Sequence, residues 1–202
     1  MDALYLFRHS VYGDVEIRYS LRSLAKYAPY IRKVWVFGDR PAFLSDDTSV
    51  IEHVPHSYIT RSGSFRTPVT NFFLLLYLSS LIPELDHEYL FFCDDFFLLR
   101  PLEIDESRTV RYLQDLSQAK NRGRGLWRDS LWRTYDLLRR LGYTGYNFET
   151  HTPTYLRRRW VFEAYCEFRD LAEQFPTPSC YERPDNGAVA AEWIACVGLP
   201  ST

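Results

Sequence analysis

The chain has 202 residues, of which 46% are hydrophobic and 17% aromatic, enough apolar material for one globular domain with a large core. Its 24 basic and 26 acidic residues leave a formal charge of −2, which excludes general affinity for nucleic acid or acidic polymers. Four cysteines, Cys93, Cys166, Cys180 and Cys196, show neither a CxxC nor a Cys/His spacing, which argues against a structural zinc site or a redox pair.

Ala3 to Arg8 reads as a first strand, ended by the glycine-containing link His9 to Asp14. From Glu16 to Tyr27 the apolar residues Ile17, Leu21 and Leu24 recur at helical spacing, and Pro29 stops the pattern. Arg18 and Arg22 fall one turn apart on the other side of that helix. Lys33 to Gly38 is a second buried strand and Ser49 to Val54 a third. Strand, helix, strand in so short a span implies a parallel unit. Pro55 to Thr67 is a polar loop long enough to suspect function. Thr67 caps the next helix with Pro68 at its first position, and the apolar run Phe72 to Leu78 carries it to about Leu81. That run is far short of the ~20 residues that span a bilayer. Tyr89 to Cys93 is a further buried strand. Beyond Pro101 the expected elements are a strand from Arg108 to Leu113, a basic loop from Leu116 to Gly125 and an amphipathic helix from Trp127 to Leu141. A structured loop from Gly142 to Pro153, a helix from Arg157 to Gln174 and a short helix around Gly187 to Cys196 complete the reading.

The stretch Tyr89-Leu-Phe-Phe-Cys-Asp-Asp-Phe-Phe-Leu-Leu99 is the most informative, because two carboxylates interrupt an unbroken apolar run. Asp94 and Asp95 fall at the C-terminal end of a strand buried on both faces, the edge where open α/β sheets bind ligands. Two ionised side chains there repel each other and lose hydration, which a divalent cation would relieve. Oxygen-only ligands point to Mn²⁺ or Mg²⁺ with positions left open for substrate phosphates. A tight turn or helix cap is the competing reading. Arg66 and Asn71 lie near the start of the following helix, where backbone N–H groups attract anions.

Glu16-Ile-Arg-Tyr-Ser-Leu-Arg-Ser-Leu-Ala-Lys-Tyr-Ala-Pro-Tyr-Ile-Arg-Lys-Val-Trp-Val-Phe-Gly-Asp39 closely resembles the second conserved region of the Stealth family. Phe91-Phe-Cys-Asp-Asp-Phe-Phe-Leu-Leu-Arg-Pro101 resembles the end of the same region, and His151-Thr-Pro153 resembles the start of the third. Two departures stand out: Ala3 to Ser10 replaces the Trp-Val-Asp-Gly element of the first region, and Cys93 stands where Asn is usual. The resemblance implies a GT-A-like α/β fold, a mostly parallel sheet flanked by helices. It implies a single domain over 1–202, with 1–101 as the nucleotide-sugar and metal half and 102–202 as the acceptor half. The expected activity is metal-dependent transfer of a sugar from a nucleotide-sugar, a UDP-sugar by preference, to a glycan or other hydroxyl acceptor. The Stealth sugar-1-phosphate reaction is the alternative, and a non-catalytic glycan-binding or scaffold protein the alternative of another class.

On that reading Asp95 is the first choice as metal ligand, with Asp94 beside it or on the sugar hydroxyls, and His151 is a third ligand or a general base. Asp185 is a further base candidate. Arg8, at the end of the first strand, and Arg22, in the matched Leu-Arg-Ser triplet, are expected at the nucleotide or diphosphate, with surface ion pairs as their alternative. Arg66 and Asn71 join them as donor-binding candidates. The basic residues Lys120, Arg122, Arg124, Arg128, Arg133 and Arg157 to Arg159 suit a solvated face balanced by Asp129, Asp136 and Glu163 ahead of an anionic acceptor such as a lipid-linked phosphate glycan. The expected location is the cytoplasm, with peripheral membrane contact left open.

Overall fold

The computed structural model describes residues 1–55, 57, 72–121, 135–136, 138–148 and 150–173, and does not describe the side chains of 72–74, 119–121 and 168–173. Contacts divide the chain into two compact units. One comprises Met1–Gly63, Leu78–Val110 and His151–Arg158, the other Ser64–Tyr77, Arg111–Thr150 and Arg159–Thr202.

The first unit is built on a five-stranded sheet. Its strands are β1 (Asp2–Phe7), β2 (Val34–Gly38), β3 (Ile51–Val54), β4 (Glu88–Phe92) and β7 (Thr154–Arg157), in the order β3-β2-β1-β4-β7. The first four are mutually parallel and β7 closes the edge antiparallel to β4. This is the mostly parallel, helix-flanked sheet expected of a GT-A-like fold. The central strands lack alternation because both faces are covered: Ala3, Leu4, Tyr5, Trp35, Val36, Phe37 and Tyr89 to Phe92 are all buried. Helix α1 (Val15–Tyr27) buries Ile17, Leu21 and Leu24. It ends where the Ala28 N–H meets the Leu24 carbonyl at 2.9 Å, just before Pro29. At the other end of the sheet, fully buried Asp2 holds four donors. The Arg32 guanidinium grips it at 3.0 and 2.7 Å, the Trp35 indole N–H at 2.9 Å and the Asp86 N–H at 3.0 Å.

Further α-helices are α2 (Phe72–Ser79), the single turn α3 (Ile104–Ser107) and α4 (Arg158–Glu173). In the second unit the two-residue strands β5 (Gln114–Asp115) and β6 (Tyr146–Asn147) pair antiparallel, and Leu116 and Leu138 are buried against Tyr135, Tyr143 and Phe148. Gly145 lies so close to the Tyr135 ring that an added Cβ would meet it at 2.8 Å, so only glycine fits.

Two differences from the sequence reading stand out. Arg108 to Leu113 forms no strand, and Arg108 instead ion-pairs with Glu88 at 3.1 Å. Thr154–Arg157 is a strand where the sequence suggested a loop running into a helix, because four residues are too few to show a period of two. Residues 135–136 and 138–140 are helical as expected, while the rest of the helix expected from Trp127 and the one around Gly187 to Cys196 lie outside the described residues.

Candidate active site

The chain runs from β1 outward through β2 to β3, then returns to place β4 on the other side of β1. That reversal makes the C-terminal ends of β1 and β4 the switch point of the sheet, where doubly wound folds open a crevice. Parallel register pairs Tyr5 with Phe92. Phe7 ends β1 and Asp94 follows the end of β4 by two residues, at the same edge of the sheet. On the other side, antiparallel register pairs Phe91 with Thr154. His151 precedes β7 by three residues, at that same edge of the sheet. Topology therefore gathers three separate sequence signals, the end of β1, the Asp pair and His151, at one edge.

Asp94 and Asp95 are the central residues of a turn closed by the Phe96 N–H on the Cys93 carbonyl at 3.2 Å. The turn alternative is thus part of the geometry, but it does not settle the charges. Burial raises the Asp94 carboxyl above its ordinary value. Its own N–H and that of Asp95 pull it back down, while the negative charges of Asp95 and Glu16 push it further up. Glu16, in the first turn of α1, keeps Oε2 buried without a hydrogen-bond partner. Three carboxylates sharing one field is the excess that a hard divalent cation relieves, so the residues present fit Mn²⁺ or Mg²⁺. Among the described residues, however, no three His, Cys, Asp or Glu side chains converge as a ready ligand set. Asp94, Asp95 and His151 are thus not preassembled as a triad. His151 is exposed, with a left-handed backbone (φ 49°), and its ring stands against Phe96 with centroids 6.4 Å apart.

The carboxylate turn is stitched to α1. Ser20 donates to the Phe96 carbonyl at 2.5 Å and bonds the Tyr5 hydroxyl at 2.9 Å. Ser23 accepts from the Leu98 N–H at 2.9 Å and donates to the Ser20 carbonyl at 2.8 Å. Glu16, Ser20 and Ser23 lie at i, i+4 and i+7, one face of the helix. Sequence reasoning passed over all three, although their helical spacing within the Glu16 to Asp39 block was a usable signal.

Arg8 follows β1 directly and is exposed at the switch-point edge. Arg22 is exposed on α1, its guanidinium 5.9 Å from the Tyr19 ring, as Arg18 lies 4.7 Å from that of Phe43. Arg66, Asn71 and Asp185 lie outside the described residues, as do Arg122, Arg124, Arg128 and Arg133. The remaining basic run is structural. Arg157 pairs with Glu88 at 3.2 Å, Arg158 donates to the carbonyls of Ser80 and Leu85, and Arg159 pairs with Glu163 at 2.7 Å.

Residues 11–115, just over half of the chain, match the family Stealth protein CR2, conserved region 2. Two exopolysaccharide phosphotransferases of Streptomyces coelicolor are similar to the chain. Each is 36% identical over 89 residues, a stretch that is 43% of this chain. The same stretch is 9% of the length of one and 15% of the other, so the chain spans only a small part of each.

Proposed function

The chain belongs to the Stealth family, and from that premise we propose that it carries the donor-binding core of a metal-dependent sugar-1-phosphate transferase in polysaccharide synthesis. The observation that carries this reading is the Asp94–Asp95 turn at the β1/β4 switch point, crowded by the charge of Glu16. Of the two reactions weighed from the sequence, glycosyl and phosphosugar transfer, the second is favoured because both Streptomyces relatives are described as phosphotransferases.

In this reading Asp95, the more exposed of the pair, holds the cation directly and Asp94 shares it or orients the sugar hydroxyls. Bound there, Mn²⁺ or Mg²⁺ supplies charge neutralisation for the diphosphate and the departing nucleotide. Arg8 meets the same phosphates from the neighbouring strand end with a planar, permanently charged fork. His151 approaches the transferred group from the β7 side. Ser20 and Ser23 hold the carboxylate turn in place, so little reorganisation accompanies donor binding. Arg66, Asn71 and Asp185 remain candidates on sequence grounds alone. A UDP-sugar is the donor proposed, and a glycan hydroxyl the acceptor. No described helix is long and apolar enough to cross a membrane.

The nucleotide released in the presence of Mn²⁺ tests the reading. UMP is the expected product from a UDP-sugar, because phosphosugar transfer breaks the diphosphate. Release of UDP would replace it with glycosyl transfer, and absence of any metal-dependent nucleotide binding would favour a glycan-binding scaffold.

A further inference from the structure

Outside the carboxylate turn, a histidine and a buried aspartate form a pair that the proposed function leaves unused. His9 Nδ1 lies 2.8 Å from Asp14 Oδ2, and the other oxygen, Oδ1, accepts the Ser10 N–H at 2.9 Å. The His9 N–H donates to Asp39 Oδ2 at 2.9 Å, and the ring packs edge-on to Phe7 with centroids 5.9 Å apart. Asp14 is 6% exposed, whereas the His9 side chain is 54% exposed. An ionised carboxylate only accepts, so the bond calls for a proton on Nδ1, and in the neutral ring Nε2 then carries the lone pair. Reaching this arrangement takes two successive left-handed residues, Gly13 (φ 77°) and Asp14 (φ 60°). For Asp14 that conformation costs about 1–2 kcal/mol. Its carboxylate, freed from capping α1, makes no cap hydrogen bond and serves the histidine instead.

The position is as informative as the geometry. His9 is two residues past β1, at the C-terminal edge of the sheet where β1 and β4 lie side by side and Asp94 and Asp95 follow β4. Asp14 precedes by two residues the Glu16 whose charge reaches Asp94.

We propose that His9, held by Asp14, is the general base of this site, taking the proton of an acceptor hydroxyl that enters at the β1/β4 switch point. In the step, the acceptor oxygen forms the new bond to the transferred phosphorus with its own electron pair. Its proton passes to His9 Nε2. The nucleoside monophosphate leaves with the electrons of the broken diphosphate bond, and the imidazolium later returns its proton to solvent. Asp14 is a positioning residue that fixes the tautomer and balances the charge formed on the ring. The charged groups set against His9 are Asp14, Asp39 and, one residue earlier in the chain, Arg8.

This inference rests on the donor site proposed above, so the test separates the two. His9→Asn keeps an N–H for Asp14 but has no base; His9→Gln and Asp14→Asn serve as second variants. Calorimetry with UDP and Mn²⁺ reads the donor site. Nucleotide release from UDP-hexoses, with methyl glycosides as acceptors, reads the base. Nitrogen-15 spectra read the His9 tautomer. The expected result is UDP affinity within about twofold of wild type and an Nδ1–H tautomer lost in Asp14→Asn. Nucleotide release should fall on the order of 10²–10⁴-fold in His9→Asn. Turnover within about threefold of wild type in His9→Asn would overturn the base while leaving the donor site intact. Wild type that binds no UDP under any metal condition would overturn both.

Discussion

Replacing Ser20 by alanine tests how the helix holds the carboxylate turn. The Ser20 hydroxyl has one proton, committed to the Phe96 carbonyl at 2.5 Å, so Tyr5 must be the donor in the second bond at 2.9 Å. Removing the hydroxyl orphans both partners. Tyr5 is fully buried, and burial already holds its hydroxyl well above the ordinary tyrosine range, so neither water nor ionisation offers it relief. An unsatisfied buried group costs about 1–3 kcal/mol. Phe96 is half-buried and its carbonyl recovers part of that from water, so Ser20→Ala should lower stability by about 2–4 kcal/mol. Tyr5→Phe leaves the Ser20–Phe96 bond in place and should cost only about 0.5–1.5 kcal/mol. In the double variant both partners of the Tyr5 bond are gone, so its loss should fall short of the sum by at least about 0.5 kcal/mol. Urea unfolding of the three variants reads these differences. A Ser20→Ala loss below about 0.5 kcal/mol, or strict additivity, would refute the stitch.

Asp94→Asn should separate stability from binding. The folded-state value of Asp94 is raised, so its favourable contribution is present at low pH and is lost as pH rises through that value. Metal-free Asp94→Asn should therefore melt higher than wild type at pH 7, converge with it in mild acid, and bind nucleotide at least tenfold more weakly; a lower melting temperature at pH 7 would contradict this. Asp2→Ala leaves the Trp35 indole and the Asp86 N–H without their acceptor at the sheet end remote from the site, while the half-exposed Arg32 keeps the Glu84 carbonyl and water. It should cost about 2–4 kcal/mol by urea unfolding. Arg8→Ala should weaken UDP binding about tenfold in calorimetry, whereas Arg22→Ala should change it less than twofold, since only Arg8 borders the switch point.

Much of the sheet is readable from residues alone because burial on two faces writes itself as continuous apolar runs: Leu4 to Phe7, Val34 to Phe37 and Tyr89 to Phe92. The Asp pair is readable for the same reason, since charge inside such a run has few explanations. Arg22 shows the limit. Its basic character is plain, but which side of α1 faces the site depends on where the turn after β4 docks, a tertiary fact. The short β7 carries no period, yet it is what brings His151 to the edge of the sheet where Asp94 follows β4. His9 and Asp14 escape any spacing rule, because they meet only through two left-handed residues. Ser20 and Ser23 look like ordinary polar helix residues until their partners, more than seventy positions away, are known.

The central claim is that Asp94 and Asp95 anchor a cation and a nucleotide diphosphate. Calorimetric titration of UDP and a UDP-sugar, with and without Mn²⁺, into wild type and Asp95→Ala addresses it directly. The account predicts metal-dependent binding in wild type that Asp95→Ala abolishes. Wild-type binding that needs no metal, or undiminished binding by Asp95→Ala, would contradict it.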